Sequence, residues 1–148
     1  MSLQYKNILV AVDGSKEAEK AFKKAISLAK SYDATLIIAH VIDDRYGSAV
    51  VYSPGIIHEI EAKGKELLQS YEKQAKEAGV ANVKTHLEHG SPKVKIAKYI
   101  APKFDADLIL CGATGLNAIE RLLMGSVSEH ITRYAKCDVL VVRSTDEE

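Results

Sequence analysis

Cysteine is scarce in this 148-residue chain, and the two that occur, Cys111 and Cys137, stand far apart and outside any CxxC or Cys/His pattern. That argues against a disulfide framework and a zinc module, and two buried free thiols are expected instead. Net charge is missing as well, since 20 Lys and Arg against 20 Asp and Glu give a formal charge of +0. A nucleic-acid partner held by bulk phosphate neutralisation is thereby disfavoured, while a local anion site stays open. No apolar run approaches the roughly 18 residues that cross a bilayer, and Met1 to Tyr5 has neither the basic nor the apolar region of a secretory signal. The expectation is a cytoplasmic protein with no membrane partner. Familiar catalytic signatures are also lacking: no Ser-His-Asp or Cys-His constellation, no GxxxxGK followed by Ser or Thr, and no HxGH motif.

What is present is ordinary globular composition, 47% hydrophobic and 27% charged, over a length that suits one domain spanning residues 1–148. Asn7 to Asp13 is a continuous apolar run closed by Asp-Gly-Ser, the pattern of a strand buried on both faces. Ser15 can cap a helix with Glu17 and Glu19 in its first turn and Ala18, Ala21, Phe22, Ala25, Ala29 and Tyr32 at helical spacing. Thr35 to Ile42 is a second buried strand, followed by a Gly, Ser and Pro containing excursion from Arg45 to Gly55 that could cover a site. Ile60, Gly64, Leu67, Tyr71, Ala75 and Ala78 mark a long helix stopped by Gly79.

Val83, Thr85, Leu87 and His89 alternate with Lys84, His86 and Glu88, so the third strand has a polar face and suits a sheet edge. Gly90-Ser91-Pro92 supplies a turn, an N-cap and a first-turn proline for a helix carrying Val94, Ala97, Ile100 and Ala101; its Lys93, Lys95, Lys98 and Lys103 read as a solvated face. Asp107 to Gly112 is a fourth strand, Gly125 to Ala135 a last helix, and Asp138 to Arg143 a fifth strand before a polar tail. This β-α-β-α-β-α-β-α-β order predicts an α/β fold: a three-layer α/β/α sandwich around a five-stranded parallel sheet of order 3-2-1-4-5. Its switch point falls between strands one and four, and ligands of such sheets bind outside the carboxyl ends there. Those ends are Asp13-Gly14 and Gly112-Ala113-Thr114-Gly115.

Two glycines after a strand allow a tight turn and a close approach of backbone amides to a ligand. Gly125-Ser126-Val127-Ser128 then opens the last helix, where unpaired amides and the dipole favour an anion and the two serine hydroxyls add donors. Together these residues read either as a phosphate cradle or as a plain turn followed by a capped helix. Asp13 reads as a cap for its own turn or as a contact to a ligand or metal-bound water, and both roles can hold at once. His40, in an apolar strand, reads more readily as a core residue with a satisfied ring than as a ligand. His86 and Glu88 share one strand face and His89 takes the other, which is poor spacing for a metal site.

The pattern Gly-x2-Gly-x9-Gly-Ser, with Arg121-Leu122-Leu123-Met124 before its last glycine, resembles the ATP-binding signature of the universal stress protein family. Asn7 to Ser15, His40 to Asp43 and Cys137 to Val142 are similar to that family's first strand and turn, second strand end and last strand. The resemblance spans essentially the whole chain and implies the Rossmann-like, adenine nucleotide alpha hydrolase-like variant of the fold. It implies ATP as ligand, with Ala11, Val12, Asp13 and the backbone near Val41 bordering adenosine. Gly112, Ala113, Thr114, Gly115, Gly125, Ser126, Val127 and Ser128 would hold ribose and phosphates, and Asp13 would lie near Mg2+. Family members often carry Arg or His before the second glycine, where this chain has Thr114; that departure bears on affinity rather than on the identity of the site.

Fast phosphoryl transfer needs a positioned base and strong cationic clamping, and near the glycines the sequence offers chiefly Asp13 and Arg121. The reading is therefore a nucleotide-dependent stress-response protein that binds ATP and hydrolyses it slowly at most. The alternative is a nucleotide-free interaction module of the same fold. The last strand, Val139 to Arg143, is too apolar for a free edge, and the resemblance likewise implies a homodimer formed through it.

Overall fold

The computed structural model describes residues 4–43, 54–113 and 125–143. Arg45 to Ser53 of the excursion, Thr114, Gly115, Arg121 to Met124 and the polar tail lie outside the described residues, while Pro54 and Gly55, read as the end of that excursion, already belong to the helix that follows it. Asn7–Ala11 forms β1, Thr35–Asp43 β2, Asn82–Gly90 β3, Leu108–Gly112 β4 and Asp138–Val142 β5. All four pairings are parallel and the sheet order is β3-β2-β1-β4-β5, as the element order predicts. β1 lies between Thr35 to Ala39 on one side and Leu108 to Leu110 on the other, and its Ile8, Leu9 and Val10 are wholly buried. It is shorter than the apolar run suggests. Val12 still donates its N–H to the Ala39 carbonyl at 2.9 Å, but Asp13 has already left the sheet to begin a turn.

Among the described residues, two helical elements cover each face. α1 (Lys16–Tyr32) and α2 (Pro54–Glu77) pack on one side over Ile8, Val10, Leu36, Ile38 and Leu110. Phe22 of α1 meets Tyr71 of α2 edge-on, with ring centroids 4.6 Å apart. Residues 92–103 form the third helical element, α3, and Ser126–Tyr134 forms α4; Ile96, Ala97, Ile100 and Ile131 from these two close the other side over Leu9, Ile37, Ile109 and Cys111. The split follows from handedness: right-handed crossovers toward β3 put α1 and α2 on one face, and those running back through β4 to β5 put α3 and α4 on the other.

Local chemistry sets the helix ends. Ser15 caps α1, its hydroxyl accepting the Ala18 N–H at 3.1 Å, and Gly79 follows α2 at φ +104°, where a side chain would be strained. Ser91 occupies the N-cap position of α3 but its hydroxyl makes no capping bond; its carbonyl receives the Val94 and Lys95 amides instead. α3 also departs from a plain helix. Pro92–Lys95 runs into a π turn over Ile96–Ile100 and then Ala101–Lys103, and Pro102, with no N–H to give back to the preceding turn, explains the wider turn ahead of it. On α2 the buried positions are Gly64, Leu68, Tyr71 and Ala75, whereas Ile60 is 39% exposed.

At the amino edge of the sheet, Asp107 accepts the Lys6 and Asn7 amides and tethers the entry of β1. The Tyr5 hydroxyl donates to Asp138 at 2.6 Å, and the charge so held pushes the phenol up to about 12. Both cysteines are free: Cys111 is buried and its thiol is pushed up to about 12 by that burial, while Cys137 is half-buried and raised in the same direction. Among the described residues no helix is long and apolar enough to cross a membrane. Phe22, 1% exposed, joins α1 to α2, so Phe22→Ala is expected to lower unfolding free energy by about 3–5 kcal/mol, read from a urea unfolding curve.

Candidate functional site

Three pieces of backbone converge at the carboxyl edge of β1 and β4: the turn after β1, the end of β4 and the start of α4. In the first, the Asp13 carboxylate accepts the Ser15 N–H at 2.9 Å and Gly14 sits at φ +83°, where most side chains are strained. Asp13 is therefore the cap of its own turn, with one oxygen engaged there. The Val12 carbonyl is bonded to Nδ1 of His40 at 2.8 Å. A carbonyl can only accept, so that ring nitrogen carries a proton, and His40 is the satisfied residue that its apolar surroundings suggest. From α2, Leu67 and Tyr71 close over the same turn. Leu67 Cδ1 lies 3.8 Å from where a Gly14 Cβ would stand. The Tyr71 phenol is raised by burial first and then by Glu19 and Asp13, against an opposing contact with the Gly14 backbone.

The other two pieces are joined to each other. The Ala113 N–H continues the β4–β5 pairing by donating to the Val142 carbonyl at 2.9 Å. The Ala113 carbonyl accepts two bonds, from the Gly125 N–H at 2.7 Å and from the Ser128 hydroxyl at 2.8 Å. The chain thus leaves β4 at Ala113 and returns at Gly125 with the two positions hydrogen-bonded together, which holds the first turn of α4 against the end of the sheet. Ser128 is 2% exposed, and its hydroxyl also approaches the Gly125 carbonyl at 3.1 Å. That hydroxyl is an internal clamp, not the outward donor its place in the sequence suggests. Gly125 caps α4 without a side-chain bond, so the amides of Ser126, Val127 and Ser128, the first in the helix, have no intrahelical acceptor.

Gly112 has a different reason to lack a side chain than closeness to a ligand. A Cβ there would come within 2.8 Å of Glu17 Cβ and 2.9 Å of the Glu17 carbonyl carbon. The end of β4 and the first turn of α1 touch backbone to backbone, and this contact brings the α1 amino terminus beside that of α4. Both helix dipoles direct their positive ends toward the same edge.

A protein-family model described as the universal stress protein family matches residues 4–143. The chain belongs to the universal stress protein family. A Staphylococcus haemolyticus relative bearing the family name is 53% identical over 145 residues, 97% of this chain and 88% of its own. Among solved structures, universal stress protein UspA from Lactobacillus plantarum superposes with a TM-score of 0.85 at 31% identity, covering 96% of this chain and 100% of its own. A universal stress protein solved in complex with cAMP superposes with a TM-score of 0.74 at 29% identity, covering 97% and 100% respectively.

In this universal stress protein the structure brings Ala11, Val12, Asp13, Gly112, Ala113, Gly125, Ser126, Val127 and Ser128 to one edge of the sheet. Val41 lies toward the carboxyl end of β2 with its side chain in the core beneath α3 and α4. Thr114 and Gly115 fall outside the described residues. His86 and His89 do not join the group: His86 pairs with Glu88 at 2.8 Å and His89 with Glu61 at 2.7 Å, on opposite faces of β3. The His86 bond holds the Glu88 carboxyl below its usual range. Sequence reasoning missed Glu17 and Tyr71, and only the helical spacing of Tyr71 marked it, as a core residue. Gly112→Ala forces backbone apart at Glu17 and is expected to cost about 1–3 kcal/mol, measured as a lower midpoint of thermal or urea unfolding, with no ligand present.

Proposed function

We propose that this chain is an ATP-binding universal stress protein, a cytoplasmic homodimer that changes conformation or assembly with its bound nucleotide and hydrolyses ATP slowly at most. The observation that carries the reading is the double hydrogen bond onto the Ala113 carbonyl from Gly125 and Ser128. It anchors the first turn of α4, with three amides lacking intrahelical acceptors, at the sheet's switch point, an arrangement suited to phosphate oxygens. The complete Gly-x2-Gly-x9-Gly-Ser signature supports the triphosphate, and the relative solved with cAMP supports an adenine nucleotide as the ligand class. Ala11, Val12, Asp13 and the Val41 backbone would border adenosine, and Gly112, Ala113, Thr114, Gly115, Gly125, Ser126, Val127 and Ser128 would hold ribose and phosphates.

The residues fit Mg2+ only as a nucleotide-borne ion. Among the described residues no cluster of three or more His, Cys, Asp or Glu is arranged to hold a metal, and Asp13 already gives one oxygen to Ser15. Mg2+ keeps several waters and leans on phosphates, so one carboxylate beside the nucleotide suffices. When bound, it would neutralise phosphate charge. Asp13 would meet its water shell while still holding the turn.

Ser126 is exposed at the first position of α4, so Ser126→Asp separates the two roles of that helix end. An acid there complements the dipole and is expected to keep or raise thermal stability, by about 0.3–1 kcal/mol. The same charge opposes phosphate, so calorimetric affinity for Mg-ATP should fall about tenfold or more. Equal affinity in the two proteins would contradict the reading, and parallel titrations with AMP and cAMP show whether the triphosphate matters. For the dimer, β5 is a sheet edge whose Val139 to Val142 are only half-buried in one chain. Val141→Lys should convert a dimer to a monomer in sedimentation velocity, and a wild-type monomer at micromolar concentration would refute the pairing.

A further inference from the structure

The zero net charge of the chain conceals a charged layer. Residues 92–103 carry Lys93, Lys95, Lys98 and Lys103 and no acid, and α4 adds Arg133 against a single Glu129. These lysines are not simply solvated, as their sequence pattern suggests. Lys98 Nζ stands 4.5 Å from the centroid of the Tyr134 ring, bridging α3 to α4, and Lys95 Nζ stands 4.5 Å from that of Tyr99 while reaching Glu88 at 3.9 Å. Tyr99 is 57% exposed and Tyr134 46%, the two most exposed large apolar side chains of the described residues. His130 packs against Tyr134 at 4.5 Å, and its buried Nε2 has no hydrogen-bond partner. Burial, then Lys98, Lys93 and Arg133, lower the tendency of this ring to take a proton.

We propose that the face formed by α3 and α4 is a docking surface for an acidic segment of another protein. Charge complementarity selects the occupant: five cations, Lys93, Lys95, Lys98, Lys103 and Arg133, against the two acids Glu129 and Glu88 are repelled by their own kind and neutralised by added carboxylates. The tyrosines supply rigid, amphipathic contact area among those cations, the chemistry that anchors protein interfaces. Single-stranded nucleic acid fits less well, because it stacks bases on open aromatic faces, and here Tyr134 already has an ammonium over it and an imidazole beside it. The surface is separate from the α4 amino terminus, and the proposal stands whether or not ATP binds there.

The test uses the full-length protein and a short fluorescein-labelled peptide of Glu and Leu, read by anisotropy, with its Gln-for-Glu counterpart as control. The Glu peptide should bind, weaken as salt rises, and lose about tenfold in affinity or more in the Lys93→Glu, Lys98→Glu double variant. The exposed α1 pair Lys23→Glu, Lys24→Glu changes net charge equally and should leave affinity unchanged. Tyr134→Ala should weaken binding without altering salt dependence. In nuclear magnetic resonance, the His130 titration midpoint should rise when the peptide binds, as carboxylates offset Lys93, Lys98 and Arg133. The proposal is overturned by no binding of the Glu peptide, by equal loss in the two double variants, or by equal binding of the Gln peptide. Tighter binding of polyuridylate or of phosphatidylserine vesicles to this face would also overturn it. Circular dichroism of each variant ensures that a loss reflects the surface and not unfolding.

Discussion

The parallel pairing of β1 with both β2 and β4 is the constraint on which the remainder of the molecule depends. Parallel strands cannot be joined by tight hairpins, so each connection carries a helix back across the sheet, and right-handedness decides the face. Because the chain moves outward from β1 to β3 and then crosses to the other side, α1 and α4 leave from neighbouring strands but cover opposite faces. Their amino termini meet at the same edge. The fold therefore gathers unpaired amides and positive dipole ends at one place before any side chain is chosen.

What turns that gathering into a defined site is a small set of short contacts. Gly112 lets β4 end against Glu17, Ala113 ties the returning chain at Gly125 and Ser128, and Asp13 shapes the turn between β1 and α1. Most of these bonds satisfy the protein's own polar groups. Side chains that look from sequence like contacts for a ligand, Asp13 and Ser128 above all, hold the backbone in position. Under the proposed function, this edge would recognise an anion through main-chain N–H groups, which no substitution other than proline removes and which carry no charge to drive chemistry. Such recognition would suit retention of a nucleotide better than its rapid turnover.

The charge distribution has a similar logic. Composition averages over the whole chain, whereas partners meet one face at a time. Of the acids in other elements, Glu88 on β3 reaches Lys95, whereas Asp107 and Asp138 are engaged at the amino edge of the sheet by the Lys6 and Asn7 amides and the Tyr5 hydroxyl. Binding one face of this molecule is thus an electrostatic event that its overall neutrality does not reveal.

Strand order, the two buried faces, the Ser15 cap and the Gly79 stop were all legible in the sequence, because hydrophobic periodicity and capping chemistry act within a few residues of one another. The family motif singles out the stretch from Gly112 to Ser128, which is proposed above as the nucleotide site. The tertiary structure alone decided which groups in that region are already engaged. The Glu17 contact beneath Gly112, the Tyr71 approach to the Asp13 turn and the Lys98 ammonium over Tyr134 arise between separate elements and join residues far apart in the chain. Local pattern records which surface a residue prefers to face; it holds no information about the atom that will stand opposite once the helices have packed.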